Sequence, residues 1–240
     1  MDRERARIGT AGWVLPAVVR DHFGPGASQL ERYATRFSCV EINSSFYRPH
    51  RTSTYARWAA TVPDDFRFAL KIPKAITHER RLVDVDAPLD AFLAETAALG
   101  AKRDVLLVQL PPSFAYDAGV VTGFFTRMRG RYDGRIACEP RHASWFEDAA
   151  DRALAELDVA RVAADPAVVP RAAQPGGSRS FAYIRLHGSP RMYYDAYDDA
   201  ALAAVAVRLR EEPVPTWCIF DNTAFGVAAG NALRLSELLA

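Results

Sequence analysis

Phe181-Ala182-Tyr183-Ile184-Arg185-Leu186-His187 alternates with period two: Ile184 and Leu186 share one face, and Tyr183, Arg185 and His187 share the other. The run starts apolar and ends charged. The same form recurs along the chain. Cys39 to Asn43 sets Glu41 and Asn43 on one face; Phe66 to Ile72 sets Lys71 with Ala69; Val105 to Leu110 sets Gln109 with Leu107 and Val105. Arg135 to Glu139 places Glu139 with Ala137, on a face that Arg141 continues. Arg161 to Asp165 places Asp165 with Ala163, and Thr216 to Asp221 places Asp221 with Ile219, followed by Asn222. Arg7 to Thr10 is the first run of the series.

Helical patterns separate these runs. Ser28 with Glu31 is a capping box, and helices are predicted near 53–60, 88–99, 120–129, 148–157, 198–210 and 225–239. Alternation of strand and helix is the pattern of a parallel α/β protein. Between Asp165 and Phe181, Pro166, Pro170, Pro175 and Gly176-Gly177 interrupt the rhythm, and no crossover helix is expected there. Eight strands in 240 residues predict a single TIM-barrel-like (β/α) barrel with a helix-less connection between strands 6 and 7. The competing doubly wound sheet lacks its G-x-G-x-x-G signature, since Gly9 and Gly12 are wrongly spaced and no third glycine follows. No linker or internal repeat divides the chain, so 1–240 is read as one domain.

Composition supports a folded chain: 50% hydrophobic and 25% charged residues suffice for a core. Thirty Lys+Arg against 29 Asp+Glu leave a net charge of +1, which argues against a global footprint for nucleic acid or anionic lipid. Only Lys71, Lys74 and Lys102 are lysines, an oddity that draws attention to each. Cys39, Cys138 and Cys218 are too scattered for a disulfide framework or a zinc ribbon. The start, Met1 to Arg5, is charged and leads into no apolar signal segment, and no run is long enough to span a membrane, so a cytoplasmic protein is expected.

In a barrel the strand ends converge on one rim, where barrel enzymes place their chemistry. Charged groups gathered there are costly unless they pair or meet a ligand. Glu41 and Glu139 are the candidate acid/base pair, against a simple ion pair of Glu139 with Arg141 or His142. Lys71 could form a Schiff base or bind an anion, against an ion pair with Glu41. His142 and His187, beside arginines, suit proton transfer or phosphate contact, against a role as hydrogen-bonded core histidines. His78 lies within reach of the rim if its loop folds inward; His22 and His50 are read as surface residues.

The motifs resemble a known family. Gly9-Thr10-Ala11-Gly12-Trp13, Val40-Glu41-Ile42-Asn43-Ser44-Ser45-Phe46-Tyr47, Lys71-x-Pro73 and Ile76-Thr77-His78 occur in its order. So do Gln109-Leu110-Pro111-Pro112-Ser113-Phe114, Glu139-Pro140-Arg141-His142-x-Ser144-Trp145, Tyr183-Ile184-Arg185-Leu186-His187-Gly188 and Phe220-Asp221-Asn222-Thr223, with Ala228 and Asn231-Ala232 beyond. From about residue 7 onward the chain is similar to the YecE-like family, also called domain of unknown function 72. The resemblance implies a TIM-barrel-like fold and no established activity. Ala11 stands where the family usually has serine, Val14-Leu15-Pro16-Ala17 where it has aromatics, Ser45 where it has threonine, and Asp221 where it often has a second asparagine. These departures reshape the loop after the first strand and add a negative charge to the site.

The expected function is a hydrolase or lyase acting on a small anionic or sugar-phosphate-like molecule. Arg141, Arg185 and Lys71 would hold the anion, as arginine forks match carboxylate or phosphate oxygens. Glu41 or Glu139 would move the proton with His187. Asn43, His78, Gln109, His142, Asp221 and Asn222 complete the polar lining, and Trp13 and Tyr47, with Phe46 and Trp145, would stack on a ring or pack between loops. No cofactor is expected; a divalent metal held by rim His, Glu and Asp is the alternative, although no HExxH spacing exists. The rival functions are metal-dependent phosphodiester cleavage on nucleic acid, which the near-neutral charge disfavours, and a non-catalytic ligand-binding module.

Overall fold

The computed structural model describes residues 5–240; the charged start Met1 to Glu4 lies outside the described residues. In chain order the strands are β1 (Ala6–Thr10), β2 (Cys39–Ile42), β3 (Arg67–Lys71), β4 (Arg103–Gln109), β5 (Arg135–Glu139), β6 (Val159–Arg161), β7 (Ala163–Asp165), β8 (Gly176–Gly177), β9 (Ala182–Leu186) and β10 (Thr216–Phe220). The helices are α1 (Gln29–Ala34), α2 (Ser44–Tyr47), α3 (Thr52–Thr61), α4 (Asp86–Thr96), α5 (Ala118–Arg129), α6 (Asp148–Glu156), α7 (Asp199–Glu211) and α8 (Ala228–Leu239). Each expected run forms a strand, but the sixth is split in two around Val162.

The strands form two sheets rather than the single eight-stranded ring expected: β1-β10-β9-β7, and β2-β3-β4-β5-β6-β8. All neighbours are parallel except β8, which pairs antiparallel with β6. The split sixth run explains one boundary. Its first half pairs with β5 and its second half with β9, so one segment changes sheets at Val162. At the other boundary β1 and β2 meet in a single bridge, Ala11 with Glu41, where the Gly12 N–H donates to the Glu41 carbonyl at 2.8 Å. Gly9 permits this approach, because a Cβ there would lie 2.5 Å from the Cys39 carbonyl oxygen. The connection from 166 to 180 carries no α-helix, but it holds a 3-10 turn at Pro170–Ala173 as well as β8.

Side-chain alternation divides the buried residues into two clusters. Cys39, Ala69, Val105, Leu107, Ala137, Ala160, Val162, Phe181, Tyr183, Trp217 and Ile219 pack together between the facing sides of the two sheets. The larger cluster, including Val40, Leu70, Leu106, Val108, Ile136, Ile184 and Leu186, lies between strands and helices. At about 1.5–3 kcal/mol for each fully buried large apolar side chain, both faces contribute to stability. The faces that carry Glu41, Lys71, Gln109, Glu139, Arg185 and Asp221 are those of the smaller cluster. In the sixth run Ala160 and Val162 take that face, so Ala163 lies in the larger cluster and Asp165 accepts from the Tyr197 hydroxyl at 2.6 Å.

Helix starts follow the sequence. Ser28 and Glu31 form the expected capping box of α1, and Asp117 and Asp198 accept from the backbone N–H groups of Val120 and Ala201 to cap α5 and α7; each cap is worth about 1 kcal/mol. Two short elements escape the periodicity and matter to the site. The single turn α2 follows β2 directly and places Phe46, and a π-helical turn at Ala75–Glu79 follows β3 and places His78. Among the described residues no helix is long and apolar enough to cross a membrane.

Candidate functional site at the strand ends

The C-terminal ends of β2, β5, β9 and β10 meet in a buried polar hub centred on Arg185. Its Nε and Nη2 donate to Glu41 Oε2 and Oε1 at 3.0 and 2.7 Å, a bidentate fork. Nη1 donates to Glu139 Oε2 at 2.7 Å, and Nη2 also donates to Asp221 Oδ2 at 2.9 Å. The guanidinium thus serves three carboxylates, and it is fully buried.

His187, two residues along the same face, stands between two of them. Nδ1 lies 3.0 Å from Asp221 Oδ2 and Nε2 lies 2.9 Å from Glu139 Oε1. Carboxylates only accept, so both contacts are hydrogen bonds when both ring nitrogens carry hydrogen. Arg141 donates from Nε and Nη2 to Glu139 Oε1 at 3.2 and 3.1 Å, and from Nη1 to the Tyr193 hydroxyl at 2.7 Å. Tyr183 donates to Glu41 Oε2 at 2.8 Å, and Asn43 Nδ2 to Asp221 Oδ1 at 3.2 Å.

The cations decide the ionisation of the hub. Burial would raise the Glu139 carboxyl, but Arg185, His187 and Arg141 outweigh it and hold the group well below the usual carboxylate range. Asp221 is lowered in the same way, burial being overcome by Arg185 and His187. Burial and the neighbouring Glu41 carboxylate push the Tyr183 phenol well above its ordinary value, so it remains a donor.

Lys71 stands apart. Its Nζ lies 4.2 Å from the centroid of the Phe46 ring. The side chain is buried, yet among the described residues no carboxylate or other acceptor comes within ion-pair or hydrogen-bond reach of the amine. The expected ion pair with Glu41 does not form, because Arg185 and Tyr183 already occupy that carboxylate. Burial, reinforced by the Arg185 charge, brings the Lys71 ammonium down to about 8 against the opposing pull of Glu139, Asp221 and Glu41. The other two lysines are engaged: Lys74 with Glu79 at 3.1 Å, and Lys102 with the carbonyls of Ala59 and Val62.

Other polar groups lie near the same ends. Gln109 is buried with no protein partner for its amide among the described residues, and Asn43 Oδ1 is sealed without a partner. His78 packs edge-on to the Phe46 ring at 5.0 Å, its Nδ1 2.8 Å from the Thr77 hydroxyl. Burial, with Lys71 and Arg141, lowers the His78 pKa.

The remaining expected residues do other work. His142 caps the turn at Ala143–Phe146, its Nδ1 accepting from the Ser144 N–H at 3.3 Å, and does not join the hub. Asn222 is fully buried and donates to Asp195 O and Asn231 Oδ1, tying the loop after β9 to α8. Trp13 packs edge-on to Trp58, and Trp145 is buried with its indole N–H on the Phe114 carbonyl. Exposed Tyr47 lines a separate apolar cleft of about 290 Å³ with Phe46, Tyr55, Pro73 and Phe92. His22 is exposed as expected, whereas half-buried His50 meets the Ser44 hydroxyl at 2.8 Å and packs edge-on to Tyr55 and Trp58.

Tyr193 is absent from the sequence reading. It lies in the loop after β9, in positive φ at 72°, with its ring edge-on to His187 at 5.5 Å and its hydroxyl on Arg141. It covers the hub. The only sequence signal is the aromatic pair Tyr193-Tyr194 in a loop that follows a charged strand end. Beside the hub, Glu139, Arg141, His187, Val162 and Met192 line a cavity of about 20 Å³, room for one water. Among the described residues no group of three or more His, Cys, Asp and Glu is arranged to hold a metal ion.

The family described as "Protein of unknown function DUF72" matches residues 7–240. The UPF0759 protein YecE of Escherichia coli (strain K12) is 31% identical over 174 residues, covering 70% of this chain and 61% of that protein. The UPF0759 protein YunF of Bacillus subtilis (strain 168) is 27% identical over 147 residues, covering 58% and 51%. The match therefore spans less than two thirds of the length of these relatives. Among solved structures, a DUF72 family protein of Thermotoga maritima MSB8 superposes with a TM-score of 0.80 at 23% identity over 98% of both chains. A beta-mannanase from the blue mussel Mytilus edulis gives a TM-score of 0.55 at 10% identity over 98% of this chain and 91% of that one. These structural likenesses concern the fold alone.

Proposed function

We propose, from the premise that this chain belongs to the DUF72 family, that it is an enzyme whose two sheets act as one barrel-like ring. Its ring mouth binds a small anionic molecule for a lyase or hydrolase reaction. The observation that carries this reading is a buried lysine left without an acceptor at the strand ends. Glu41, Glu139 and Asp221 are engaged by Arg185, with Arg141 and His187 completing their contacts, while the Lys71 amine meets only the face of Phe46. A buried cation without a counter-ion is unfavourable in the resting chain and becomes favourable when an anion arrives.

Within this reading the hub is a positioning device. Glu41 is sealed and saturated, so its role is to fix Arg185. Glu139 and His187 border the small cavity with Oε1 and Nε2 2.9 Å apart, which makes them the pair that moves a proton to or from the ligand. Arg141 uses three of its five N–H groups on Glu139 and Tyr193 and sets Nη2 3.5 Å from His187 Nε2, leaving an N–H of Nη1 for an anionic oxygen. The shared sixth strand and the Ala11–Glu41 bridge support the view of the sheets as one ring.

The test is binding of phosphate and lactate to the full chain, by calorimetry, in wild type and Lys71→Met, followed by a screen for lyase and hydrolase turnover. A charge-assisted contact contributes about 1.5–3 kcal/mol, so the variant should bind at least tenfold more weakly. Equal affinity in both proteins, or no binding by either, would overturn the reading.

A further inference from the structure

We propose that Lys71 is a covalent nucleophile: its Nζ condenses with the carbonyl carbon of a small 2-oxo acid or aldehyde acid to form an imine at the mouth. The inference rests on the reading of the strand ends as a small-molecule site and names the substrate class of that site.

Three observations carry it. Of the three lysines, two spend their ammonium groups on protein oxygens, while Lys71 spends its own on none among the described residues. This happens beside three carboxylates, each taken by Arg185, whose fork competes for oxygens better than an ammonium can. Burial disfavours the charge on this amine, while the Phe46 face beneath it attracts a cation and holds the nitrogen in place without any oxygen consuming it. Its pKa of about 8 supports the geometry, because an appreciable fraction is then the free amine near neutrality.

The chemistry balances. The ammonium gives one proton to solvent, as a group with a pKa of about 8 does for an appreciable fraction of molecules close to neutrality. The nitrogen lone pair forms the C–N bond, and the attacking nitrogen passes its second proton to the carbonyl oxygen. That oxygen then leaves as water when a second proton reaches it, and the C=N bond forms. Overall, ammonium and carbonyl give iminium and water, with no oxidant, reductant or further reactant. The iminium keeps the positive charge of the lysine, and the acid group of the substrate meets the free N–H of Arg141 Nη1.

The experiment treats the full chain with glyoxylate or pyruvate and cyanoborohydride, which reduces an imine to a stable secondary amine, and maps the adduct by peptide mass spectrometry. Labelling at Lys71 should exceed that at Lys74 and Lys102 at least tenfold, should slow in the presence of lactate, and should vanish in Lys71→Arg, which keeps the charge and so protects the fold. Uniform labelling of all three lysines overturns the inference. So does absence of an adduct from a protein that still binds lactate, and in that case the anion-site reading stands. Absence of both adduct and lactate binding overturns the two together.

Discussion

Arg185 grips Glu41 through two parallel bonds, Nε to Oε2 at 3.0 Å and Nη2 to Oε1 at 2.7 Å, with neither side chain exposed to solvent. The two residues come from different sheets, so this fork crosses the interior of the molecule. Removing one partner of a buried pair leaves an uncompensated charge, which costs about 3–5 kcal/mol. Arg185→Met should reach that range, because three carboxylates lose their cation, whereas Glu41→Gln should cost less, because Arg185 keeps Glu139 and Asp221. Urea unfolding monitored by circular dichroism checks the order, and the opposite ranking would deny Arg185 its central place.

Acid should unfold the protein through the hub. Glu139 and Asp221 hold pKa values below those of the unfolded chain, so their contribution is complete above the unfolded carboxylate value of about 4 and is lost as pH falls below it. Stability measured by urea midpoints should therefore drop steeply below about pH 4. Glu139→Gln should flatten that slope.

Lys71 predicts a difference at the alkaline side. Its pKa is about 8 in the folded chain and about 10.4 when unfolded. Between these values the unfolded chain holds a proton that the folded chain lacks, so this group adds stability as pH rises. Buried tyrosines and cysteines with raised values pull the other way in both proteins. The informative quantity is therefore wild type minus Lys71→Met, which should grow from pH 8 to about pH 10; a flat difference would refute it.

Tyr193→Phe removes the hydroxyl that accepts from Arg141 while keeping the ring against His187. The loop from 188 to 195 should then exchange its amide hydrogens several-fold faster, with unfolding stability changed by about 1 kcal/mol or less. Unaltered exchange would show that the cover is held by packing alone.

Gly9→Ala should be among the more damaging single-methyl additions, since the new Cβ would press on the Cys39 carbonyl oxygen and on its Sγ at 2.9 Å. Overpacking of this kind costs about 1–3 kcal/mol, and the melting temperature should fall accordingly.

Much of this was legible in the sequence because strand parity is arithmetic. Cys39 with Glu41, Ala69 with Lys71, Ala137 with Glu139 and Ile219 with Asp221 alternate as expected, and their strands lie within a residue or two of the expected positions. Asp165 keeps its parity with Ala163, but on the outer face of the sixth run, and the change of sheets at Val162 is a tertiary event with no local signature. Partner choice was equally hidden. Lys71 and Glu41 come from adjacent strands and invite pairing, but Arg185, from the opposite sheet, offers more donors in a rigid fork and wins. Short turns such as α2 and Ala75–Glu79 are below the length at which periodicity speaks, so the positions of Phe46 and His78 emerged only from the coordinates.

The segment shared by both sheets has an evolutionary corollary. One half of the molecule donates Glu41, Lys71 and Glu139, and the other donates Arg185, His187 and Asp221, so neither half could have carried this constellation alone. A fragment or a duplicated half-fold would inherit acids without their guanidinium, or the reverse. The ancestry of such a centre is therefore tied to both sheets together.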